Sequence, residues 1–232
     1  MAAIRLDNEE RRKAIVEAAM PLFARKGFAG TTTKEIAEAA RVSEALVFKH
    51  FPSKAALYEE ILHLGCLGDP ALECVNELPP STASLVQMMR YMVRHFVFDA
   101  QEMDASHRLM INSFLEDGEY ARLVTDTVMA RIYPKFAELL AAAQRAGDLA
   151  AAPPTPENAF WFAQHVAAML AYARLPKDGT VPYRGDAETI VAEAAAFILR
   201  GLGIKETVLE RHLAAASRGN NGAFNSGERS RA

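Results

Sequence analysis

Apolar residues recur along this chain at intervals of three and four, and strand signals are weak throughout. That spacing gathers apolar side chains on one side of a helix, so the pattern predicts an all-α protein. Ile15, Ala18, Ala19, Leu22 and Phe23 share a stripe, which predicts a first helix from about Asn8 to Lys26, stopped by Gly27. Pro21 sits inside that stripe, where it costs a backbone bond or a bend. Thr32 and Glu35 have the spacing of a capping box and open a short helix that turns Ile36, Ala37 and Ala40 inward. After a turn at Arg41 and Val42, Ser43 caps a still shorter helix that Pro52 ends. Ser53 then starts a fourth helix, from Lys54 to about Leu64.

Further helices are predicted at about 81–101, 104–116, 119–146, 156–175 and 186–201, with Pro134 kinking the longest. Residues 150–156 and 176–185 read as loops, rich in Pro and Gly. The last stretch turns to Gly, Asn, Ser and Arg, a composition that cannot bury enough apolar surface to stay ordered. The expected division is 8–58, then 59–213, then a disordered tail over 214–232.

Charge sharpens this picture. The chain as a whole carries −3, but between Arg11 and Tyr58 nine Lys or Arg face four acids, a local +5 that leaves −8 for the remainder. A basic N-terminal block on an acidic protein points to one end meeting a polyanion. Two cysteines make no disulfide framework, and His63, Cys66 and Cys74 match no zinc spacing, so no metal site is expected. Gly-rich phosphate loops, nucleophile elbows and HExxH are absent, which argues against an enzyme and against a bound cofactor. No run of about 18 apolar residues occurs, and Met1–Glu10 has no leader-like apolar stretch, so the expectation is a cytoplasmic chain without a membrane span.

Two short helices joined by a tight turn behind a longer one form a helix-turn-helix pattern. Ala37 is small where the two cross, Val42 plugs the turn, and Val47 and Phe51 face inward. Ser43, Glu44, Ala45, Phe48, Lys49 and His50 are left for a partner, on a helix that fits a major groove about 12 Å wide. The helix starts at Thr32–Thr33, with Lys34, and at Ser53–Lys54 offer N–H groups, hydroxyls and cations to flanking phosphates.

The stretches RRKAIVEAAMPLFARKGFAGTTTKEIAEAARVS and LVFKHFPSKAALYEEIL resemble the DNA-binding region of the TetR family of bacterial repressors. The resemblance covers about a fifth of the chain. It implies DNA contacts at Thr33, Lys34, Glu44, Ala45, Leu46, Phe48, Lys49, His50 and Lys54. The family usually has Gly where Arg41 stands, which forces Arg41 to tolerate positive φ at a cost of roughly 1 kcal/mol. It usually has Thr at the position of Leu46 and Tyr at that of Phe48, so the operator of its relatives is not to be borrowed for this chain.

The resemblance further implies that the larger C-terminal part binds a small-molecule effector and pairs two subunits, so that a homodimer meets double-stranded DNA at a palindromic operator and is released by the effector. Leu85, Met88, Met89, Met92 and Phe96 form one stripe, which reads first as ordinary core and also suits an adaptable pocket. The candidate pocket residues are Met88, Met92, His95, Phe96, Arg108, Asn112, Phe114, Trp161, Phe162 and His165, which suit a largely hydrophobic effector. Phe160, Gln164, Ala167 and Ala171 on one late helix, with Ile190, Val191, Ala194, Phe197 and Ile198 on the next, are the candidate dimer surface; burial inside one chain is the other reading of those stripes.

Overall fold

The computed structural model of the chain describes residues 8–63, 74–98, 104–116, 118–150 and 153–218. These form two compact units, of which the first combines Met1–Asp69 with Glu102–Thr127 and the second combines Pro70–Gln101 with Val128–Ala232. All the named elements are helices, as the spacing of apolar residues predicts. The division expected between residues 58 and 59 does not coincide with the packing, because the chain returns to its first unit after an excursion.

The first unit is built on α1 (Asn8–Gly30), α2 (Thr33–Ala40), α3 (Glu44–His50) and α4 (Lys54–Leu62), joined by α6 (Asp104–Leu115) and most of α7 (Glu119–Arg131). Helix α1 buries Ile15, Val16, Ala19, Leu22 and Phe23, and α6 lies against it. Tyr58 of α4 collects the rings of Phe23 and Phe28, each centred 4.8 Å away, and that of Tyr120 at 5.0 Å.

Gly27 was expected to end α1; instead the helix breaks there, at φ 70° and ψ 180°, and resumes to Gly30. Two α6-side groups one helical turn apart meet the backbone flanking the break. Asn112 donates its amide to the Ala24 carbonyl at 2.7 Å, and Glu116 accepts from the Phe28 N–H at 3.1 Å. The Glu116 carboxylate lies so close that a Cβ on Gly27 would stand 1.5 Å from its Oε1. Glycine is favoured here by the left-handed φ, and a Cβ would also have to push the Glu116 carboxylate aside.

The second unit wraps α8 (Tyr133–Arg145), α9 (Pro156–Tyr172), α10 (Ala187–Gly201) and α11 (Glu206–Arg218) around α5 (Thr82–Phe98). Leu85, Met89 and Val93 of α5 are buried with Leu139, Ala143, Ala167, Ala171, Val191 and Leu199 from its neighbours. The single helix expected over 119–146 is two helices. Ile132 separates them, and Pro134 falls in the first turn of α8, where its missing N–H leaves no bond unmade. Helix α11 was not expected, and it carries the ordered chain to Arg218, past the start of the anticipated tail; residues 219–232 lie outside the described residues. No helix among the described residues is long and apolar enough to cross a membrane.

Candidate nucleic-acid interface

The reading head starts from a reciprocal cap. The Thr32 hydroxyl accepts from the Glu35 N–H at 3.2 Å, and the Glu35 carboxylate accepts from the Thr32 N–H at 2.9 Å. Lys26 bonds the same carboxylate at 2.5 Å, and these contacts, the lysine's first, hold the Glu35 carboxyl down to about 2. Thr33 is half-buried beside this cap and Lys34 is exposed.

Helix α2 ends on Arg41 at φ 57° and ψ 42°, the one non-glycine residue with positive φ among the described residues. The Arg41 N–H reaches the Glu38 carbonyl and the Val42 N–H reaches the Ala37 carbonyl at 2.9 Å, the paired bonds of a Schellman motif. The turn therefore forms as the sequence predicts, with the strain carried by an arginine.

Ser43 caps α3 through the Leu46 N–H at 3.2 Å, and Phe51 closes it by donating its N–H to the Val47 carbonyl at 2.8 Å. Val47 and Phe51 are fully buried. Glu44, Ala45, Phe48 and Lys49 are exposed on the other side, with Leu46 and His50 half-buried at its margins.

The far end of α3 is tied down by a residue that sequence reasoning passed over. Arg12 donates from Nη1 to the His50 carbonyl at 3.2 Å and from Nη2 to the Glu60 carboxylate at 2.6 Å, and its guanidinium stacks 4.4 Å from the Phe51 ring centre. One planar cation thus joins α1, α3 and α4. The Glu60 bond raises Arg12 and lowers Glu60 from their ordinary values. His50 is pushed below the usual imidazole range, first by burial and then by the charges of Arg12 and Lys49. The signal was present in the sequence, since Arg12 continues the stripe of Ile15, Val16 and Ala19 at helical spacing.

Lys54 makes contacts within the chain. Its ammonium donates to the carbonyls of Phe28 at 2.7 Å and Thr31 at 3.1 Å, and lies 4.2 Å from the Phe28 ring centre. A lysine read as a phosphate anchor is engaged in fastening the end of α1 to the start of α4. The Ser53 cap of α4 forms as expected, through the Ala56 N–H at 3.1 Å.

The candidate effector residues divide between the units. Arg108, Asn112 and Phe114 belong to the first, where Asn112 is bound to Ala24 and Arg108 and Phe114 are exposed. In the second unit Met88 is core, while Met92, His95 and Phe96 are half-buried along α5. Trp161 is half-buried and stacks on His165 at 6.0 Å, and Phe162 and His165 lie on the exposed side of α9 rather than lining an interior.

The candidate dimer residues also divide by burial. Phe160, Ala167, Ala171, Ile190, Val191 and Ile198 are buried within the chain, Phe160 against the rings of Tyr133, Phe136 and Trp161. Gln164 and Ala194 are half-buried. Of that list Phe197 stands out in solvent, 66% exposed; on α9, Phe162 at 59% and Met169 at 57%, seven residues apart, are exposed as well.

Residues 15–61 match the sequence model of the bacterial regulatory proteins of the tetR family. The HTH-type transcriptional regulator YvkB of Bacillus subtilis strain 168, itself uncharacterised, is 54% identical over 50 residues, which are 22% of this chain and 26% of YvkB. The chain thus spans about a quarter of the length of that curated relative. Likeness of fold extends much further. A tetR-family regulatory protein from Rhodococcus superimposes with a TM-score of 0.64 at 22% identity, covering 85% of this chain and 99% of that one. NalD of Pseudomonas aeruginosa, the secondary repressor of the MexAB-OprM multidrug efflux pump, gives a TM-score of 0.61 at 25% identity, over 86% of this chain and all of NalD. Residues 15–61 thus carry the helix-turn-helix segment of the bacterial regulatory proteins of the tetR family, on an all-α fold like that of those solved regulators.

Proposed function

We propose that this chain is a transcriptional repressor that binds a palindromic operator as a homodimer and leaves it when a small, largely hydrophobic molecule binds the second unit. The carrying observation is α3. Its ends are fixed by Ser43 and by Arg12, its inner side is buried through Val47 and Phe51, and Glu44, Ala45, Phe48 and Lys49 remain outward. A helix held this way meets base edges, while the exposed Lys34 and the capped start of α2 meet phosphate.

A helix of seven residues reads few bases, and two related by symmetry read a palindrome. The apolar side chains Phe162, Met169 and Phe197 are what a second copy would cover. For the effector, the half-buried Met92, His95 and Phe96 of α5 are the side chains of the original list that support the reading.

Selection of duplexes from a random pool by the full-length protein, followed by footprinting, tests the proposal. It expects an inverted repeat whose half-sites lie about one helical turn or a multiple apart. Recovery of no sequence above background, in several salt concentrations, would reject it.

A further inference from the structure

Phe48 is the one large apolar side chain of α1–α4 left exposed among the described residues, at 51%. It contributes little to the interior, because Val47 and Phe51 already fill the inner side of α3. Ala45, also exposed, stands three residues before it and Glu44 four before, so the three share one side of the helix, with Lys49 next in sequence. The outward side of the reading helix is therefore an apolar step between a carboxylate and an ammonium.

Chemistry narrows what this step can meet. A phenyl ring neither donates nor accepts a conventional hydrogen bond, so it cannot read the amino, keto or ring-nitrogen groups of the base edges, nor hold a phosphate. The major groove offers one apolar feature, the C5-methyl group of thymine. The helix that carries the ring is fixed at both ends, by the Ser43 cap and by the Arg12 bond to the His50 carbonyl, so the ring is presented from a set position.

We propose that Phe48 is a specificity-determining residue whose target is the thymine C5-methyl, and that each half-site carries a thymine opposite this ring. The inference rests on the DNA-binding reading above and adds to it the chemical group that is read.

The test replaces thymine by deoxyuridine, one position at a time, in the operator selected from a random pool, with the full-length protein and binding followed by fluorescence anisotropy. Uracil pairs as thymine does and lacks only the methyl. Wild type is expected to lose affinity roughly fourfold at a thymine in each half-site, the ratio that burial of one methyl-sized group implies. Phe48→Ala should bind thymine and uracil operators equally, whereas Phe48→Met, still apolar, should retain a preference for thymine. Circular dichroism verifies that both variants stay folded.

If wild type binds every uracil operator as well as the parent, the inference is wrong while the DNA-binding reading stands. Undiminished discrimination in Phe48→Ala would likewise overturn the assignment to this residue. If no operator is selected at all, the DNA-binding reading fails and this inference with it.

Discussion

Arg12 holds the main-chain carbonyl of His50 at 3.2 Å, so the last turn of the reading helix is anchored by a residue thirty-eight positions earlier in the chain. The same guanidinium carries the Glu60 bond and the Phe51 ring. Replacing Arg12 by Ala strands a half-buried carboxylate and a carbonyl together. The expected loss of stability is about 2 kcal/mol, the usual scale for charged hydrogen bonds, read by urea denaturation. Operator affinity should fall further than affinity for unrelated DNA. A variant that matches wild type in both measurements would remove Arg12 from this role.

Lys34 and Lys54 should separate in salt titrations. Lys34 is exposed beside the start of α2, and Lys34→Ala is expected to reduce the slope of log affinity against log salt by about one. Lys54 is bound to the carbonyls of Phe28 and Thr31, so Lys54→Ala should lower the melting temperature and leave that slope nearly intact. An unchanged melting temperature with a reduced slope would return Lys54 to the phosphate backbone.

Arg41 sits in the left-handed region without being glycine. Arg41→Gly relieves that strain and should stabilise the fold by up to about 1 kcal/mol, less whatever glycine's freedom in the unfolded chain takes back. Arg41→Val, β-branched, should destabilise instead. Chemical denaturation of the pair decides, and a ranking of Val above Gly would contradict the left-handed turn.

Glu35 predicts an acid-dependent stability. Its carboxyl is held at about 2, below the ordinary value of about 4.3. A depressed carboxyl contributes stability that is present above the unfolded value and is lost as pH falls through the folded one. Wild type should therefore lose stability between about pH 4 and pH 2 more steeply than Glu35→Gln, and parallel curves for the two proteins would refute the cap's electrostatic part.

The α9–α10 pair offers a direct comparison. Phe197→Glu places a charge on the exposed side and should shift the protein from dimer to monomer in light scattering, with folding retained. Phe160→Ala, buried against Phe136, should cost about 3–5 kcal/mol of stability, a cavity effect, rather than dissolve an interface. A monomeric wild type would reject the dimer outright.

What the sequence disclosed and what it withheld follow from the range of the interactions. Thr32 with Glu35, Ser43 and Ser53 are caps completed within three residues, so their letters alone predict their bonds. The turn at Arg41 was legible for the same reason. The bonds of Lys54 were not legible because its partner carbonyls are 26 and 23 residues away, and nothing local distinguishes a cation bound to backbone from one facing phosphate. The stripes of α9 and α10 marked burial correctly but not the covering partner. Ala167, Ala171 and Val191 are covered within the chain, and the outward apolar residues are their neighbours on the next face.

The break at Gly27 has a consequence for anyone cutting the protein into parts. The matched segment ends at residue 61, yet the groups that complete its first helix, Asn112 and Glu116, come from beyond residue 110. A fragment truncated after α4 would keep every residue proposed to face DNA and lose both clasps. It would leave the Ala24 carbonyl and the Phe28 N–H to water at the point where Lys54 also fastens. What is contiguous as a motif is thus not autonomous as a solid, and a transplantable reading head would have to carry α6 with it.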